Sequence, residues 1–141
     1  MDDARAGLPG WTDEQRRAYQ GFVKVIEAPA DDPFMAIPHL QQYVDSLPLD
    51  EFEQSDWVTL HADLVCFLAE SMIVRFGASW QVREAAETPR GYRYVLRLGT
   101  HDVDPFEVVA QEFRNQPIDV VRMLATTELN LGRGPEPDPR P

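Results

Sequence analysis

The chain has 141 residues, a formal net charge of −11 and one cysteine. That length suits a single domain with its own core, and the acidity argues against adhesion to nucleic-acid backbones or anionic membranes, which takes clustered positive charge. A lone Cys66 rules out an internal disulfide and fits a reducing compartment. The opening MDDARAGLPGW has neither the basic start nor the apolar run of a secretory signal, so the cytoplasm is the expected location. Arginine supplies twelve of the thirteen basic residues, a bias that fits a GC-rich bacterial coding sequence.

Residues 1–10 are polar, contain Gly and Pro, and are expected to be flexible. A single globular domain is expected over 11–131. Its first helix opens on a capping box, Thr12 with Gln15 three residues on, carries Tyr19, Phe22, Val23 and Ile26 on one face, and stops at Pro29. Asp31-Asp32-Pro33 starts a second helix, with capping carboxylates ahead of a first-turn proline. Phe34, Ile37, Leu40, Tyr43, Val44 and Leu47 extend it over about 34–46 until Pro48, and Leu49 to Glu53 read as a loop or single turn.

The longest apolar run follows, SDWVTLHADLVCFLAESMIVRFG, residues 55–77. Trp57, Leu60, Leu64, Leu68 and Met72 recur at steps of three and four, which stacks them on one helical face. Val58, Val65, Phe67, Ile73 and Phe76 lie off that face, so the second half is apolar nearly all round. The spacing predicts a long central helix, 55–76, capped by Ser55 and stopped by Gly77. Glu70, Ser71 and Arg75 interrupt the run, which falls short of the roughly 20 apolar residues of a membrane span.

After Gly77 the period becomes two. Trp80 and Val82 alternate with Gln81 and Arg83, and Tyr92, Tyr94, Leu96 and Leu98 alternate with Arg93, Val95 and Arg97, predicting an antiparallel hairpin with strands 79–85 and 91–98. An isolated hairpin is marginal, so its aromatic face must rest on helices. Asp104-Pro105-Phe106-Glu107 opens a further helix with Phe106, Val109, Ala110 and Phe113 as its inner face, and Ile118, Val121, Leu124 and Ala125 mark a last one to about Glu128. The tail, 132–141, is Pro-rich and expected to be disordered. The fold class expected is α+β, about five helices packed around the central helix and an antiparallel β-hairpin.

Few side chains point to chemistry. Arg83, Arg93 and Arg97 form a basic stripe on the polar face of the hairpin, able to grip a carboxylate or phosphate and equally able to pair with the chain's own acids. Glu70 is a carboxylate on a nearly all-apolar segment, which must pair, reach solvent or take up a proton; a hairpin arginine is the expected partner. His101, Asp102, Asp104 and Glu107 resemble a hard-cation loop in residue type, but lack its glycine and terminal carboxylate, and helix capping accounts for Asp104 and Glu107. His39 and His61 lack ligand spacing, so neither metal nor cofactor is expected. Cys66, in an apolar helix, reads as a small buried hydrophobe.

From Leu64 to Leu124 the order of elements, with Phe76-Gly77-x-x-Trp80, Val103-x-Pro105-Phe106 and then Asp119-Val-Val-Arg-Met-Leu, resembles a group of small uncharacterised bacterial proteins that share a helix, a Gly-x-x-Trp hairpin and a Pro-initiated helix. The resemblance implies the α+β layout and carries no activity or catalytic residues.

Two classes of function remain. Residues 1–60 hold twelve acidic and four basic side chains, the remainder twelve and nine, so the negative charge is concentrated in the first half. Asp31, Asp32, Asp50, Glu51, Glu53 and Asp56, with Phe34, Phe52 and Trp57 among them, suit a non-enzymatic inhibitor or immunity-type module whose partner is a basic protein. The alternative is an anionic-ligand binding or enzymatic domain built on Arg83, Arg93, Arg97 and Glu70. An arginine-lined pocket of roughly 300 Å³ or more favours the alternative; an acidic face with exposed aromatics favours the interaction module.

Overall fold

The stretch from Leu64 to Met72 decides the architecture. Every one of its residues is buried, and a helix buried all round needs neighbours on all sides. The computed structural model, which describes residues 2–29 and 31–133, supplies them. The elements are α1 (Asp2–Ala6), α2 (Leu8–Val25), a 3-10 turn Pro33–Ala36, α3 (Ile37–Asp45), α4 (Gln54–Phe76), β1 (Ser79–Glu84), β2 (Tyr92–Leu98), β3 (His101–Val103), α5 (Pro105–Arg114) and α6 (Val120–Asn130). Around α4 pack α2, the 3-10 turn, α5 and α6, while α3 bridges to α6. The fold is α+β, with the expected long helix at its centre.

α4 runs from a reciprocal capping box to a left-handed glycine. Glu53, not Ser55, is the cap: its side chain accepts from the backbone of Asp56, and Asp56 accepts from the Glu53 amide at 3.0 Å. Gly77 stops the helix at φ 77°. α4 is the one described helix long and apolar enough to span a membrane, yet its most apolar stretch is enclosed by the protein's own helices.

The sheet is antiparallel in the order β1-β2-β3. Trp80 faces Leu96 and Val82 faces Tyr94 across β1 and β2, and this aromatic face meets α2. Trp11 stacks on Tyr94 with ring centroids 3.8 Å apart and meets Trp80 edge-on at 5.5 Å. This contact explains why α2 begins at Leu8 and not at the Thr12 box. Helical backbone carries Leu8 and Trp11 onto the core, and the Thr12 hydroxyl donates to the Leu8 carbonyl from inside the helix. Residues 2–10, expected to be flexible, are mostly helical, with Ala4 buried. The third strand escapes sequence reading because three residues are too few to show alternation.

The faces of the last two helices also differ from expectation. In α5 the buried residues are Pro105, Val108, Val109 and Glu112, while Phe106, Ala110 and Phe113 are half-exposed. In α6 they are Val120, Met123, Leu124 and Thr127, and Val121 is 60% exposed. Both rotations serve buried polar pairs. Arg122 on α6 grips the buried Glu112 carboxylate through Nε and Nη2, and Glu112 also accepts from the Asp119 amide. Gln41 of α3 donates to the Ile118 carbonyl and accepts from the Val120 amide, satisfying the start of α6. Of the expected tail, Gly132 lies against the His101 ring and Arg133 over Phe76; residues 134–141 lie outside the described residues.

Leu64 and Leu68 are fully buried in α4, so replacing either by Ala should cost about 2–5 kcal/mol of unfolding free energy through lost burial and an unfilled cavity. Urea denaturation of each variant measures this directly, and a loss below about 1 kcal/mol for both would place the wrong face inward.

Candidate functional site

The hairpin arginines are engaged within the protein. On β2, Arg93 pairs with Asp104 at 3.0 Å and Glu87 at 3.4 Å, and Arg97 makes a two-pronged contact to Asp102 at 2.6 and 3.0 Å. The Arg97 guanidinium holds the Asp102 carboxyl below its usual range. Arg83 stands directly opposite Arg93 in the ladder and forms no ion pair among the described residues. Val95 lies on the same face between Arg93 and Arg97 and is fully buried. Of the stripe, Arg93 and Arg97 are held by the acids around them. Asp104 also caps α5 through the Phe106 and Glu107 amides, and Glu107 pairs with Arg114, which occupies the acids of the cation-like segment.

Glu70 does not meet a hairpin arginine. It is buried on α4 and pairs with Arg16 of α2 at 3.5 Å, and burial raises its carboxyl pKa against the lowering effect of Arg16. The same side of α4 carries Asp63, pushed up to about 6 by burial, and Cys66, whose thiol donates to the Asp63 carbonyl and is pushed up to about 12 by burial and then by the Asp63 charge. Such a thiol is inert at neutral pH. His61 is likewise engaged, its Nε2 lying 2.8 Å from the Phe106 carbonyl.

The six acids proposed as one face fall into two groups. Asp32 caps the 3-10 turn, and Phe34 in that turn lies under the Arg75 guanidinium near the C-terminal end of α4. Asp50, Glu51, Glu53 and Asp56 cluster at the other end. At 1.5 Å per residue, Asp56 and Arg75 stand about 28 Å apart along the helix. The separation follows from chain geometry that spacing in sequence does not reveal.

Glu53 and Asp56 of the second group are chain neighbours of Gln54 and Trp57, which line an open apolar groove. Gln54, Trp57, Val58 and His61 of α4 and Ala110 and Phe113 of α5 line a volume of about 240 Å³. Three of its lining side chains are rings in series, Trp57 meeting Phe113 at 5.0 Å and Phe113 meeting His61 at 5.9 Å, and Phe52, outside the lining, meets Trp57 at 5.0 Å. Val58 stands on the rim, 57% exposed. Asp50, Glu51, Glu53 and Asp56 are all exposed and form no ion pair among the described residues. The periodicity of Phe106, Val109, Ala110 and Phe113 signalled an apolar face correctly: Val109 is buried, Phe106 and Phe113 pack against the core, and Ala110 and Phe113 also line the groove because Glu112 takes up part of the buried side of α5.

No protein-family model, curated protein or solved structure matches this chain. The α+β arrangement and the side chains at its surface carry the functional reading.

Asp63 supplies a pH prediction. Because its carboxyl is raised to about 6 by burial, the folded protein holds a proton there that the unfolded chain has released above about pH 4. Its contribution to stability is full below that pH and is lost as pH rises through about 6. Asp63→Asn should therefore gain stability relative to the parent between pH 4 and 7, as measured by urea midpoints. A difference independent of pH would show that the Asp63 carboxyl is ordinary.

Proposed function

We propose that this chain is a non-enzymatic interaction module of the inhibitor or immunity type, and that it docks a basic segment of a partner protein into the groove between α4 and α5. One observation carries the reading: Asp50, Glu51, Glu53 and Asp56 are exposed, form no ion pair among the described residues, and directly precede or interleave with Gln54 and Trp57 of α4, which with Phe113 line an apolar groove. An isolated acidic patch would merely aid solubility, and an isolated apolar groove would merely bury poorly. Together they match a segment with an aliphatic or aromatic anchor flanked by Lys or Arg, where the rings supply contact area and the acids steer approach. The pairing of Arg93 and Arg97 with the protein's own acids counts against the alternative site on the hairpin.

Selection from a displayed peptide library tests the proposal. Peptides with an apolar anchor between basic residues should be enriched, and their association should slow as salt rises, since exposed charges are screened beyond roughly 8 Å at physiological ionic strength. Changing Asp50, Glu51 and Glu53 together to amides should lower the association rate about tenfold at low salt, and Val58→Asp should abolish binding. Enrichment of acidic peptides, or binding indifferent to all these changes, would refute the reading.

A further inference from the structure

A second cavity lies near the opposite end of α4. Leu8, Pro9, Thr12 and Arg16 of α2, Arg5 of α1, Ile73 of α4 and Ala78 to Trp80 at the start of β1 line an open cleft of about 430 Å³, within the range of small-ligand sites. Its walls are mainly apolar, from Leu8, Pro9, Ile73, Ala78 and Trp80. Its charged side chains are two guanidinium groups, in a protein whose net charge is −11.

We propose that this cleft binds a small monocarboxylate with an apolar body, the carboxylate held by Arg16 and Arg5 and the body lying against Leu8, Pro9 and Ile73. The state of Arg16 favours this. Its Nε lies 3.5 Å from Glu70, its side chain is half-exposed, and its two terminal amino groups make no hydrogen bond among the described residues. They are the pair of parallel donors that a carboxylate accepts side by side. Arg5 is also weakly committed, reaching the fully exposed Asp2 only at 3.9 Å. The other polar groups are already used: the Thr12 hydroxyl donates to the Leu8 carbonyl, and the Ser79 hydroxyl accepts from Gln81. Both arginines are half-exposed and hydrated, and a carboxylate makes charge-assisted hydrogen bonds to them that an uncharged molecule does not, while a polyanion would find little solvation on the apolar walls. Glu70 competes with the ligand for Arg16, so it acts as an internal stand-in for the ligand carboxylate and weakens binding. The site is separate from the groove between α4 and α5 and does not depend on it.

Titration calorimetry with octanoate and phenylacetate, against octanol and phenylacetamide as uncharged counterparts, decides the matter and tells a chain-like from an aromatic body. At least one carboxylate should bind saturably with one site per chain and quench tryptophan fluorescence, because Trp80 lines the cavity and Trp11 touches it. Arg16→Gln should weaken binding about tenfold, the scale of a charge-assisted hydrogen bond. Glu70→Gln should tighten it several-fold, an effect that a purely structural Glu70 would not give. Arg5→Gln, at an exposed position, keeps the test intact should the α2 variant fold poorly, and should also weaken binding. The proposal is overturned if neither carboxylate binds by roughly 10 mM, if the uncharged molecules bind equally well, or if both arginine variants bind like the parent.

Discussion

The structure depends on enclosing the second half of α4. From Leu64 to Met72 no residue reaches solvent appreciably, and the stretch includes Glu70 and Ser71. Burying apolar surface gains about 25 cal/mol per Å², so every side of this segment rewards a neighbour, and two polar side chains must be satisfied within. Ser71 does so locally by donating to the Phe67 carbonyl at 2.8 Å, and Glu70 by meeting Arg16. Hence α2 is fixed by charge as well as by the packing of Tyr19, Phe22 and Val23.

The first half of α4 is different. Between Gln54 and Thr59 every residue is exposed except the half-buried Trp57, and the segment is held by its capping box and by the rings of Phe52 and Phe113. One helix is therefore anchored in the core at its second half and presents a surface at its first. The proposed groove lies where the enclosure ends. The Arg5 and Arg16 cavity lies near the other end, where α1 and α2 cross the start of the sheet.

Much of this layout was legible in sequence because it rests on local signals. Period 3.6 over 55–76, period two in the hairpin, and Asp-Pro starts at Pro33 and Pro105 each describe a few consecutive residues, and each marks an element of the structure. What could not be read was pairwise. Glu112 with Arg122, Gln41 with the start of α6, and Glu70 with Arg16 join separate elements, and no spacing along the chain announces them. With Glu112 buried against Arg122, Ala110 and Phe113 of the expected core face line the groove, while Phe106 packs among Trp11, Trp80 and His61. The hairpin arginines were found, yet their partners decide their role. Asp102, the partner of Arg97, lies on a strand too short to foresee, and Asp104, the partner of Arg93, is the cap of α5, whose start signal does not announce the pairing.

Native-state hydrogen exchange along α4 tests the division of this helix most directly. Amides from Leu64 to Met72 should exchange only through global unfolding, with an opening free energy equal to that from urea denaturation. Amides from Trp57 to Leu60 should open at a markedly lower free energy. Uniform protection along the whole helix, or exchange of the 64–72 amides through a smaller local opening, would contradict the account.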